Sequence, residues 1–132
     1  MHKVIVVNDR TYHFGQVSGI EQLGLYEEIG ARLLANCANA LKDEIDVNLL
    51  KGLLLGAPKG TIKHLSDVML PHCVEQGAEK AVNIADYQGN IDHFVLLVCH
   101  ALMVNLSDFF TSIENQVTEL IAAVRSKEKS LL

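Results

Sequence analysis

Tryptophan is absent from this 132-residue chain, and four Phe and three Tyr are its only aromatic residues. So sparse a set disfavours a stacking platform for sugars or bases, for which only Tyr12, Phe14 and Tyr26 leave room. Positive charge is also short. Lys and Arg number 11 against 16 Asp and Glu, a net charge of −5 with the two signs interspersed. A basic face is therefore missing, and with it the phosphate neutralisation that drives nucleic-acid binding. Cysteine is scarce and odd in number: Cys37, Cys73 and Cys99 each sit inside an apolar segment, and the opening MHKVIVVND is too short for a signal core. Reduced thiols in a cytosol are the expected state. No run approaches the roughly 20 consecutive apolar residues that a bilayer span requires, so no membrane partner is expected.

Nearly half of the residues are apolar, and a chain of this length can bury a substantial single core. The organising stretch is Asn90 to Phe110, NIDHFVLLVCHALMVNLSDFF. On a helical wheel Phe94, Leu97, Val98, Ala101, Leu102, Asn105, Leu106 and Phe109 share one broad face. Val95, Leu96, Cys99 and Met103 add apolar groups around the rest. A helix apolar on nearly all sides needs neighbours on nearly all sides, so this one is expected at the centre of the domain.

Around it the pattern predicts a mainly α fold with a small N-terminal β-hairpin (α+β), a compact bundle of four to five helices around that central helix of the C-terminal half. Residues 1–125 form the single domain, the hairpin spanning about 4–14, and 126–132 a solvated tail. Val4 to Val7 and Thr11 to Phe14 are the hairpin strands, with Asn8 and Asp9 between them. The first strand lacks in-out alternation, so it is either buried on both faces or an exposed edge. Ser18 and Glu21 stand in capping-box spacing and open a helix ending near Lys42. Its stripe is read as Leu23, Tyr26, Gly30, Leu33, Leu34, Cys37 and Leu41, with Gly24 and Gly30 as packing notches. Asp46 caps a short helix that Gly56 and Pro58 end. Another runs from Thr61 through Met69 to Cys73, kinked or ended by Pro71. Lys80 to Ile84 is either an edge strand or an irregular arm. Asn90 caps the central helix, and Ser107-Asp108 offers a break before a helical continuation to Val124.

Chemistry is harder to find. Six histidines and three cysteines show neither C-x-x-C nor H-x-x-x-H spacing. The adjacent pairs His72-Cys73 and Cys99-His100 diverge by about 100° on a helix, so no metal is expected. Gly56 to Thr61, GAPKGT, lacks the Gly-Lys-Ser/Thr end of a phosphate loop and follows a helix, which makes it an interhelical connection. Asp43, Glu44 and Asp46 cluster in a loop without the alternation of a calcium site. No catalytic constellation and no cofactor site emerge. What remains is an apolar surplus. Val4 to Val7, Val95, Leu96, Met103, Phe109 and Phe110 exceed what one small core absorbs, and leftover apolar surface marks a partner site. The plain alternative is that all of them are internal. Val95, Leu96, Met103, Phe109 and Phe110 are accordingly the candidate partner-binding residues.

The order of these elements carries a resemblance. V-I-V-V-N-D-R-T-Y-H-F-G leads into I-E-Q-L-G-L-Y-E-E-I-G-A-R-L-L, then leucine-rich helices, then G-N-I-D-H-F-V-L-L-V-C-H-A-L-M-V-N-L-S-D-F-F. Over Val4 to Ser112 the chain resembles the tail assembly chaperones of long-tailed bacteriophages. It departs from them at Glu75 to Gln88, where such proteins often carry a Gly-rich stretch with Trp, and in its charged C-terminus. The resemblance implies a non-enzymatic protein of the host cell cytoplasm, not expected in the mature virion. Such a protein binds the tape measure protein, keeps it soluble and helps recruit tail tube subunits. Self-association stays open. Two other classes remain: a small phage-encoded inhibitor binding a host defence or regulatory protein, and a metalloprotein using His72, Cys73, Cys99 and His100.

Overall fold

The computed structural model describes residues 2–40 and 44–131, so the helix end expected near Lys42, and Asp43 of the acidic cluster, lie outside the described residues. Strands β1 (His2–Val7) and β2 (Arg10–Gly15) pair antiparallel in the register Val7 with Arg10 through His2 with Gly15. Asn8 and Asp9 take φ of 48° and 68°. Two consecutive left-handed residues make the turn whose twist matches the strands, and Asn and Asp tolerate that conformation best after Gly. A third strand that the sequence pattern did not reveal, β3 (Cys73–Glu75), pairs with Tyr12–Phe14 and gives the order β1-β2-β3. Val7, Tyr12, Phe14 and Cys73 are buried beneath this sheet, whereas Val4 and Val6 are 52% and 64% exposed. The pleat splits the apolar run, and of the two outcomes expected for β1 the fold adopts the exposed edge.

Local signals place the helices well. Helix α1 (Gly19–Ala40) opens on the capping box: Ser18 Oγ accepts from the Glu21 N–H at 3.3 Å, and the Glu21 carboxylate accepts from the Ser18 hydroxyl at 2.9 Å. Asp46 caps α2 (Val47–Leu55) by accepting from the Leu49 N–H at 2.8 Å. GAPKGT is the connection to α3 (Thr61–Met69), with Gly60 at a φ of 96° before the first turn. Of the two outcomes expected at Pro71, a kink or an end, the fold adopts the end. A 3-10 turn at Leu70–His72 containing Pro71 ends α3, because proline offers no N–H to the helix, and Cys73 enters the sheet. Lys80 to Ile84 forms no strand, and Ile84–Tyr87 is a second 3-10 turn, begun by the Asn83 side chain accepting from the Ala85 N–H.

Helices α4 (Ile91–Asn105) and α5 (Ser107–Leu131) meet at Leu106 with a bend of 83°. Asn90 occupies the N-cap position of α4 without a side-chain capping bond, contrary to its expected role. The helix of α5 runs on to Leu131, where a frayed tail from residue 126 was expected. No single helix among the described residues is long and apolar enough to cross a membrane. The expected central helix is α4: α2, α3, the sheet, the Ile84–Tyr87 turn and α5 all pack on it. From His93 to Asn105 only Leu96, His100 and Met103 keep partial exposure. The architecture is thus mainly helical α+β, as the pattern predicted.

A polar network fastens the sheet to α4. The Tyr12 hydroxyl lies 2.7 Å from His93 Nε2 and 3.1 Å from the Tyr87 hydroxyl, and Asn8 Nδ2 lies 3.3 Å from His93 Nδ1. With Asn8 so placed, Nδ1 accepts, the Nε2–H donates to Tyr12, and Tyr12 donates to Tyr87. Arg10 donates twice to Glu75, at 2.8 and 2.7 Å, and covers the Tyr87 ring at 5.2 Å. Those bonds hold the Glu75 carboxyl below its usual range. Burial, reinforced by the Arg10 charge and opposed by Glu75, lowers His93, while burial alone lowers His100.

Because the folded state holds both imidazoles below their ordinary value of about 6.5, the unfolded chain takes up protons first as the pH falls. Their contribution is complete above about pH 6.5 and is lost progressively below it. The melting temperature is expected to fall from pH 7 to pH 5, and His100→Gln to flatten part of that slope. A pH-independent melting temperature over this range would contradict the buried neutral histidines.

Candidate functional site

Of the five candidate partner-binding residues, the fold brings only one to an open apolar surface. Val95 and Phe110 are buried, at 8% and 4% exposure, so the expectation that they face a partner is corrected. Val95 lies within the nearly fully enclosed α4, and Phe110 falls on the inward side of α5, whose buried residues Phe110, Ile113 and Val117 recur at helical spacing. Leu96 and Met103 are half-buried and packed against the core, Met103 also lining a small cleft with His2, Lys3, Val104 and Ser107. Phe109 is likewise half-buried and packed against the core, and differs in lining an open trough. Its neighbour in sequence turns inward, and about 100° of helical rotation turns Phe109 toward α1.

There it meets Tyr26 edge to face, the ring centroids 4.3 Å apart at 62°. Gly30 makes the approach feasible, since a Cβ at that position would stand 3.2 Å from Phe109 Cζ. Gly30 is therefore the packing notch the sequence suggested, whereas nothing approaches Gly24. Between the two helices lies an open trough of ≈ 460 Å³, lined by Leu23, Tyr26, Leu106 and Phe109 with Gln22, Asp108, Ser112 and Gln116 among its polar members. Leu23 is 54% exposed, Tyr26 46%, and Ile20 beside them 81%.

Sequence reasoning assigned Leu23 and Tyr26 to the buried stripe of α1, and the structure corrects this. Leu25, Ile29, Leu33 and Cys37 point inward instead, a four-residue repeat that shares Leu33 and Cys37 with the expected stripe. The missed signal was the count: α1 carries more large apolar residues than one face holds, so some had to remain outside. Arg32, which donates to the Gly56 carbonyl at 3.4 Å, ties α1 to the α2–α3 connection, and the Glu28 carboxylate lies 2.8 Å from His64 of α3.

Reactive groups are not gathered at the trough. Cys73 and Cys99 are buried elsewhere, and burial pushes both thiols up to about 12, which keeps them protonated and unreactive. Asp46 of the acidic loop is engaged in capping. What the trough offers is binding area: large aromatic and aliphatic groups on two rigid helices, open to solvent along one side.

No curated protein and no solved structure matches the chain. The model of the family described as "Phage tail assembly chaperone protein, TAC" matches residues 8–118, which span the hairpin turn, β2 and β3, all of α1 to α4 and the groove-forming first half of α5. By that match over most of its length, the chain belongs to the phage tail assembly chaperone proteins.

Proposed function

We propose that this chaperone binds the tape measure protein in the host cell cytoplasm, keeps it soluble, helps recruit tail tube subunits around it, and is left out of the mature virion. It acts by binding rather than by catalysis. The observation that carries this reading is the α1–α5 trough, where Leu23, Tyr26, Leu106 and Phe109 form the apolar part of an open surface between two helices. Exposed apolar surface of this kind costs solubility unless something covers it for part of its life. A long helical polypeptide awaiting assembly is a suitable client, since an apolar stripe on a helix fits between two helices as in helix-in-groove recognition.

Co-expression with a tagged tape measure protein tests this. The wild-type chain is expected to co-purify with its client and to keep it in the soluble fraction. Leu23→Asp with Tyr26→Asp, at positions already about half exposed, is expected to abolish co-purification while the melting temperature changes little. Capture that survives this double change would remove the trough from the reading, and failure of the wild-type chain to capture the tape measure protein would remove the reading itself.

A further inference from the structure

We infer that the α1–α5 trough selects one class of client segment, an amphipathic helix whose apolar stripe is bordered by lysine or arginine. This rests on the proposed capture of the tape measure protein and specifies the chemistry of the segments captured. Leu23, Tyr26, Leu106 and Phe109 supply the apolar part of the lining, and the charge along its borders is of one sign. Asp108 lines it directly. Glu27 is exposed four residues after Leu23, and Glu119 is exposed seven residues after Ser112, so helical geometry sets both along the same solvent-facing side. No Lys or Arg among the described residues lines the trough, although Lys3 shares a small cleft with Ser107 beside Asp108. The only cation of α1, Arg32, reaches the Gly56 carbonyl, and those of α5, Arg125, Lys127 and Lys129, all follow Glu119.

The walls also decide the conformation of the occupant. Both are helices that meet the trough at their first turns, where Ser18 accepts from the Glu21 and Gln22 N–H groups, Asp108 from that of Phe109 and Leu106 from that of Phe110, so the trough has no strand edge with which an extended peptide could pair. A helix brings its own backbone bonds and needs only side-chain contacts. Across such an interface a Lys-bordered stripe meets opposite charge and a Glu-bordered stripe meets like charge, which sets specificity more than total affinity.

The test uses two fluorescent helical peptides of about 20 residues, identical in their leucine stripe and bordered by Lys in one and Glu in the other. They are titrated against the full chain, the Leu23→Asp/Tyr26→Asp variant, and a charge variant carrying Glu27→Lys, Asp108→Asn and Glu119→Lys. The Lys-bordered peptide is expected to bind the wild-type chain about tenfold more tightly. That preference should shrink as salt rises from about 0.05 to about 0.5 M and disappear or invert in the charge variant. Neither peptide should bind the Leu23→Asp/Tyr26→Asp variant. Equal affinities, no binding of either peptide, or an unchanged preference in the charge variant would overturn the inference. Tape measure capture measured alongside separates the two levels: retained capture with no peptide preference sinks only the charge selection, and lost capture sinks the reading beneath it.

Discussion

Phe110→Ala is expected to lower the unfolding free energy by about 3–5 kcal/mol, the range for emptying a buried aromatic site, while Tyr26→Ala costs less than about 1.5 kcal/mol. The two rings lie in the same region of the molecule and both relate to Phe109, Tyr26 at 4.3 Å and Phe110 at 6.1 Å between centroids. What separates them is burial. Phe110 is packed with Ile113 and Val117 on the inward side of α5, and its loss leaves a void that rigid neighbours close only partly. Tyr26 gives up contact on one side alone. Urea denaturation of both variants checks the difference, with the midpoint shifting and the slope unchanged. A loss below about 1 kcal/mol for Phe110→Ala would place that ring outside the core, and the correction made to the expected partner surface would then fail. It also follows that a joint Phe109→Asp/Phe110→Asp change cannot separate capture from folding, whereas Leu23→Asp/Tyr26→Asp can.

The elements set by local chemistry were legible in the sequence. The Ser18–Glu21 box, the Asp46 cap, the Asn8-Asp9 turn and the all-round apolarity of α4 each depend on residues within a few positions of one another, and the structure realises each. Features decided by distant partners were not legible. β3 is three residues long and exists because Cys73–Glu75 finds the free side of β2, some sixty residues earlier in the chain. The network around His93 joins Asn8, Arg10, Tyr12, Glu75 and Tyr87, and no local pattern links these positions.

The candidate site divides the same way. Phe109 stood out in the sequence as part of an apolar surplus, and it lines the trough. Leu23 and Tyr26 were misassigned because two overlapping apolar stripes on α1 are equally periodic, and only the packing of α2 and α5 against α1 selects which of them is covered. Val4 and Val6 show a related ambiguity, since four consecutive apolar residues conceal the alternation that the pleat imposes.

Asn105→Leu is expected to cost about 1–3 kcal/mol despite the gain of an apolar group in a buried position, because it orphans a buried donor. Asn105 is 4% exposed, accepts from the Val17 N–H at 2.8 Å and donates to the Ala101 carbonyl at 2.9 Å. Val17 is itself buried, so its N–H has no route to water once the acceptor is gone. The position matters beyond stability. Asn105 is the last residue of α4, Val17 lies two residues before the first of α1, and α5 starts at Ser107, so one side chain fixes the relative placement of both walls of the trough, which it also lines. Gln16, whose side chain donates to the Val104 carbonyl at 3.0 Å, makes the neighbouring bond from a less buried place, and Gln16→Ala is expected to cost under about 1 kcal/mol. Hydrogen exchange at the Val17 amide gives the direct readout, faster in Asn105→Leu and unchanged in Gln16→Ala. If capture of the helical client falls in Asn105→Leu at a temperature where the domain stays folded, the spacing of α1 and α5 governs binding. If stability drops and capture holds, the bond serves the fold alone and the trough tolerates a looser wall.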